Sequence, residues 1–147
     1  NYVTALAAVK GRSISVAEFA QLTRPKQPEI VVDGVRIVRK VPEHPPTLFD
    51  GCAATAVADA VAAIDTAITV GAPLYNRGDH QGCFEIYEAT STKLEASSTC
   101  KGIREAFGAG LLRASTLTGP AEKAWALRDS FDGLLTAVSK WTHGPSK

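Results

Sequence analysis

The residues whose types and spacing come nearest to chemistry are the carboxylates Asp59, Asp65, Glu85 and Glu88 and the pair His80 and Cys83. Two carboxylates held close together can divide into a general acid and a general base. At these spacings on helices they fall on the solvated face, so acid-base catalysis is not what they point to. His80 and Cys83 lie three apart, on one helical face, as two metal ligands would. Zinc prefers four ligands, and no second pair accompanies them. His44 stands among prolines and His143 near the chain end, which leaves neither an obvious partner for nucleophilic or acid-base work. Gly108-Ala109-Gly110 lacks the Lys-Ser/Thr of a phosphate loop and reads as tight helix packing. Arg77-Gly78-Asp79 spells the tripeptide that integrins bind, yet its chemistry is that of a turn. Glycine supplies a left-handed residue, and the aspartate caps the helix that follows. No catalytic centre and no metal site emerge, and the chain reads as non-enzymatic.

The elements that carry these residues follow from texture and period. The chain has 147 residues, enough for one domain with its own core, with 45% apolar residues and a formal charge of +1. Its 16 Lys and Arg are scattered among 15 Asp and Glu, which argues against nucleic acid as a partner. The densest basic cluster, Arg36, Arg39 and Lys40, reads as a solvated strand face. The absence of methionine, at position 1 as elsewhere, is the expectation for a processed or trimmed product. Three cysteines, Cys52, Cys83 and Cys100, cannot all pair within one chain. Free buried thiols are the expectation, with a Cys83 to Cys100 bridge as the alternative in an oxidising compartment.

Residues 1–46 hold five of the eight prolines and read as an arm. Ser15 with Glu18 would cap a short helix, Val16 to Leu22, that Pro25 ends. Asp33-Gly34 between two β-branched runs predicts a β-hairpin over Ile30 to Val38. From Thr47 the period turns helical, and residues 47–142 form the helical domain, followed by a tail at 143–147. A first helix starting near Asp50 would bury Val57, Val61, Ile64 and Ile68, and Gly71 and Pro73 predict a kink or a restart. Although its apolar run is long, Asp59 and Asp65 interrupt it, and it reads as a soluble helix buried on one side. A second helix would bury Cys83, Tyr87, Thr90 and Leu94. A third, capped by Ser98 or Thr99, would bury Ile103, Phe107, Leu111 and Ala114, with Gly108 and Gly110 marking a tight crossing. The fourth opens at Thr118-Gly119-Pro120 and carries the seam Ala124, Leu127, Phe131, Leu134, Val138 and Trp141. Gly144-Pro145 stops it. The fold class is mainly α, a four-helix bundle or stacked helical hairpins.

Residues 64–94 resemble a single tetratricopeptide repeat. Val70-Gly71 matches the large-then-small pair of its first helix, Leu74-Tyr75 its bulky position, and Gly78-Asp79 its inter-helix turn. Cys83 takes the small position at which the second helix packs on the first, and Tyr87-Glu88 and Thr90 match the positions that follow. Pro73 departs from the pattern, and residues 98–141 do not repeat it. The GAPLYN…GD…GC…IYE core is also similar to uncharacterised plastid proteins of algae, among them accessory subunits of photosystems. That resemblance implies an organelle, a plastid stroma or thylakoid lumen, and a photosynthetic complex in which a chlorophyll contact is conceivable.

The combined reading is a scaffold or adaptor that mediates protein-protein contacts, peripheral to a membrane rather than spanning it. The partner-binding candidates are Val31, Val35, Arg36, Ile37 and Arg39 on the arm, Asn76 and Arg77 at the inter-helix turn, and Trp125. Trp125 lies off the fourth helix's seam, beside Arg128 and Asp129, so it marks either an exposed patch or a site for the arm to pack. Two alternatives from other classes are a small-ligand carrier or enzyme with a pocket between bundle and arm, and a repeat-type cochaperone that binds a peptide tail.

Overall fold

The computed structural model describes residues 29–32 and 35–142. The short helix expected at Val16 to Leu22 and the stop at Gly144-Pro145 lie outside the described residues. Two strands, β1 (Glu29–Val32) and β2 (Val35–Val38), pair antiparallel with Val31 opposite Arg36 and Val32 opposite Val35. A 3-10 turn, Pro46–Phe49, precedes four helices: α1 (Ala54–Asn76), α2 (His80–Ser97), α3 (Lys101–Ser115) and α4 (Pro120–Thr142). The mainly α expectation holds. Connections of three, three and four residues force consecutive helices to fold back on one another.

The helix ends follow local chemistry. α1 begins at Ala54 rather than near Asp50, because Asp50 is extended and Gly51 has a φ of 78°. At its other end α1 runs unbroken through Pro73 to Asn76. Pro73 lies only a turn from the end, so the backbone bond it forfeits is near the frayed terminus and the helix does not restart. Gly78, with φ 91°, makes the turn, and the Asp79 carboxylate accepts from the Gly82 N–H at 2.9 Å. Neither Ser98 nor Thr99 is the residue flanking α3. Cys100 holds that place, and Ser98 supports it by accepting the Cys100 N–H at 3.2 Å. Glu122 reaches back from the first turn of α4 to accept the Gly119 N–H at 3.2 Å.

α4 is the central helix. Its expected seam is buried at Ala124, Leu127, Phe131 and Leu134, with Tyr87 and Phe107 edge-on to Phe131 at 5.1 and 6.0 Å between ring centroids. A second stripe, Ala126, Ser130, Gly133 and Ala137, is buried as well. These small side chains admit close neighbours: a Cβ on Gly110 of α3 would come within 2.7 Å of the Ser130 Cβ, and one on Gly133 within 2.6 Å of the Pro42 carbonyl oxygen. α1 packs chiefly on α2 through Ala60, Ile64, Ala67 and Gly71. Gly71 is needed there, since a Cβ would meet the Tyr87 ring at 2.6 Å. Val61 and Ile68, expected in the core, are only half-buried because the close α1–α2 approach uses the small residues beside them.

Residues 39–53 form a strap over α3 and α4. Pro42 sits on Gly133, the Leu48 carbonyl sits against Gly102, and Phe49 is buried at 5.5 Å from the Trp141 ring. Cys52 and Cys100 then form a disulfide across 48 positions, and Cys83 is the free, buried thiol. This corrects the expectation of three free thiols and its Cys83 to Cys100 alternative. Cys83 faces the α1–α2 contact, while Cys52 reaches Cys100 because the strap leads directly to the start of α3. Closing a loop of this length removes about 4 kcal/mol of chain entropy from the unfolded state. The C52S/C100S double variant is expected to lose about 2–4 kcal/mol in urea unfolding, and reduction of the parent protein is expected to reproduce the loss.

Candidate functional site

The chemistry of this molecule gathers where the strap meets α4. Asp129 is fully buried, yet its carboxylate is saturated: Oδ1 accepts Arg39 Nε at 2.6 Å, and Oδ2 accepts Arg113 Nη1 and the Lys40 backbone N–H, both at 2.8 Å. Arg39 Nη2 donates to Asp132 at 2.6 Å, and Arg128 Nε donates to the other Asp132 oxygen at 3.1 Å. Arg113 also donates to the Lys40 carbonyl at 3.2 Å. Three guanidinium groups thus surround two carboxylates. A buried carboxylate is tolerable only when its lone pairs are filled in this way.

Beside the network lies a half-open cavity of about 70 Å³. Tyr75, Asn76 and Trp125 line its rim, and Cys83, Tyr87 and Arg128 line its depth. Trp125 is held on both sides. Its Nε1 donates to the Tyr75 hydroxyl at 2.8 Å, and the Arg39 guanidinium lies over its ring, 4.7 Å from the centroid. Burial pushes the Cys83 thiol up and keeps it protonated, although the Tyr87 hydrogen bond and the Arg128 charge oppose the shift. Burial likewise pushes Tyr87 up to about 12, with Cys83 adding to it and Arg128 opposing it. Burial opposes the Arg128 charge, but Asp132 and Tyr87 outweigh it and raise its pKa. The order of donation is Arg128 to the Tyr87 oxygen, and Tyr87 to the Cys83 sulfur.

A second feature is an apolar groove of about 540 Å³ between α1 and α4, walled by Val57, Val61 and Ile68 on one side and Leu135, Val138 and Trp141 on the other. A third hollow, about 160 Å³, lies under the strap beside Lys40, His44 and Arg113, and burial lowers the His44 pKa there.

The structure sorts the sequence-derived candidates into three groups. Arg39, Trp125 and Asn76 come together around the cavity. Arg39 is therefore not part of a solvated strand face, and Trp125 is half-buried against the arm rather than an open patch. Val31, 67% exposed, and Arg36 share the outward face of the hairpin, whereas Ile37 is buried; Val35 pairs with Val32 in the ladder. Arg77 is exposed at the α1 end, and Asp79 is committed to its cap. The carboxylates Asp59, Asp65, Glu85 and Glu88 are exposed, as solvated helix faces should be. Among the described residues no group of three or more His, Cys, Asp or Glu side chains converges as metal ligands would. Asp129, Asp132, Arg113, Arg128 and Tyr75 were not candidates on sequence grounds. The stripe Ala126, Ser130, Gly133 and Ala137 was the available signal that α4 carries a second packed face. No protein-family model, curated protein or solved structure matches the chain.

Two outcomes follow from this geometry. Asp129→Asn leaves Arg39 and Arg113 without their shared charge and is expected to cost about 3–5 kcal/mol in denaturant unfolding, against no more than about 0.5 kcal/mol for the exposed Asp59→Asn. The folded-state pKa of Tyr87, about 12, lies above its ordinary value of 10.0. The folded chain therefore holds a proton that the unfolded chain releases, and stability that is fully present below pH 10 is lost as the pH rises towards 12. Tyr87→Phe should remove both the late phase of the tyrosinate absorbance titration and that alkaline loss.

Proposed function

We propose that this chain is a non-enzymatic adaptor whose groove between α1 and α4 holds an amphipathic helix from a partner subunit. The carrying observation is the under-buried apolar surface of α1. Its most apolar 18-residue window has a mean hydropathy of 1.4, but only 28% of that window is buried within the chain. Ala54, Ala58 and Ala62 recur at every fourth position along the groove, a flat ridge on which a second helix backbone can lie closely. Val61, Ile68, Leu135 and Val138 provide sockets on either side for its apolar residues. Asp65 on the groove wall favours a lysine or arginine at the edge of the incoming helix.

The Cys52–Cys100 disulfide supports an oxidising compartment. Together with the resemblance to plastid proteins, that favours the thylakoid lumen over the stroma, and an accessory subunit attached to its complex through this groove. α1 is long and apolar enough by composition to cross a bilayer, so a lipid surface is the rival occupant. The adaptor reading is preferred because α1 packs on α2 through Ala60, Ile64, Ala67 and Gly71, which leaves Val57, Val61 and Ile68 lining a groove against α4 rather than a free helix face.

A photo-reactive phenylalanine analogue at Val61 tests the reading in native extracts. The expected product is a discrete adduct, mapped by mass spectrometry to an apolar-faced helical segment and reduced about tenfold by Ala62→Arg, which fills the groove from an exposed position. Adducts to lipid, or equal labelling from the exposed control position Glu85, would overturn it.

A further inference from the structure

We infer that the cavity between Trp125 and Arg128 is a binding site for a small monocarboxylate, a short-chain acid whose carboxylate meets Arg128 and whose tail lies on the alanine and aromatic walls. The site is separate from the α1–α4 groove, and the inference does not rest on the adaptor reading.

Size bounds the ligand first. One water needs about 10–15 Å³ of such volume, so the 70 Å³ cavity accommodates a molecule of about five or six non-hydrogen atoms. Charge bounds it next. Among the described residues, Arg39, Arg113 and Arg128 pair with two carboxylates, Asp129 and Asp132, which leaves one positive charge over in the network. Of the three cations, Arg128 is the one that lines the cavity. Its Nε is used by Asp132, whereas the rest of the guanidinium is directed to Tyr87 and the cavity. A guanidinium edge is a matched donor pair for a planar carboxylate.

The remaining groups refine the class. Asn76 adds an amide at the rim, and the Tyr87 hydroxyl, whose hydrogen bond is donated to Cys83, keeps its proton at neutral pH and presents no negative charge to the site. The Cys83 thiol is also neutral and offers a soft, weakly polar floor. Ala72 and Ala124 leave the space, and the Tyr75 and Trp125 rings wall it, so the part of the ligand beyond its carboxylate must be apolar. Phosphate, polar on every side, has no apolar part to set against these walls and is disfavoured. Arg39, stacked on the outer face of Trp125, couples the wall of the cavity to the strap.

The test is a nuclear magnetic resonance titration of the whole chain with acetate, propionate and butyrate, and with propionamide and inorganic phosphate as comparisons. The readouts are the Trp125 indole N–H and the Cys83 amide. Saturable shifts at both with propionate are expected, and affinity should fall about tenfold or more for propionamide and for phosphate. Ala72→Leu fills the cavity from its half-buried rim and should abolish the shifts while the rest of the spectrum is unchanged. Arg128→Gln should weaken propionate about tenfold, with partial recovery in Arg128→Lys. Absence of saturation, equal binding of propionamide, or shifts that survive Ala72→Leu would overturn the assignment.

Discussion

A buried carboxylate must be neutralised by its surroundings, and Asp129 imposes that requirement at the centre of this fold. Taking an isolated carboxylate out of water costs several kcal/mol even after relaxation. Three segments distant in sequence have to meet: Arg39 and Lys40 before the helices and Arg113 at the end of α3 supply the donors, and α4 carries the carboxylate. Unless all three meet, the charge is unpaid for. The ion cluster therefore specifies where the strap crosses the bundle, whereas the apolar seam of α4 would tolerate several positions.

The strap and the bundle depend on each other by the same logic. Once Arg39 and Lys40 are fixed, Pro42 falls on Gly133, the Leu48 carbonyl on Gly102, and Phe49 beside Trp141, after which Cys52 is in reach of Cys100. The Pro42 and Leu48 contacts each use a glycine as a seat, because backbone can approach a helix this closely only where no Cβ intervenes. Arg39 also covers Trp125, so the cavity wall is set by the strap as well as by the helices. α1 is outside this arrangement. It meets α2 closely and α4 sparsely, which opens the apolar groove on one side and the small cavity on the other.

Much of the helical architecture was legible because it is local. The Gly78 turn, the Asp79 cap, the Pro120 start and the alternating seam from Ala124 to Trp141 each announce themselves within a few residues. What was not legible is non-local. Asp129 in isolation looks like a solvated residue, since nothing near it in sequence reveals that Arg39 and Arg113 will arrive. Cys52 and Cys100 are 48 positions apart, and their pairing depends on the strap's path. Trp125 gave a true signal with two readings, and packing against the arm is the one realised, through Arg39. The small-residue stripe on α4 was visible, but small residues in a helix are ordinarily silent about what lies on them.

Amide hydrogen exchange at Lys40 measures the central claim most directly, that the strap and the bundle close as one unit on Asp129. The Lys40 N–H donates to the Asp129 carboxylate from a segment with no regular secondary structure. If the account is right, this amide opens only with the bundle, and its protection matches that of buried α4 positions such as Phe131 and Leu134. Exchange at the rate of an open loop, while α4 remains fully protected, would contradict it.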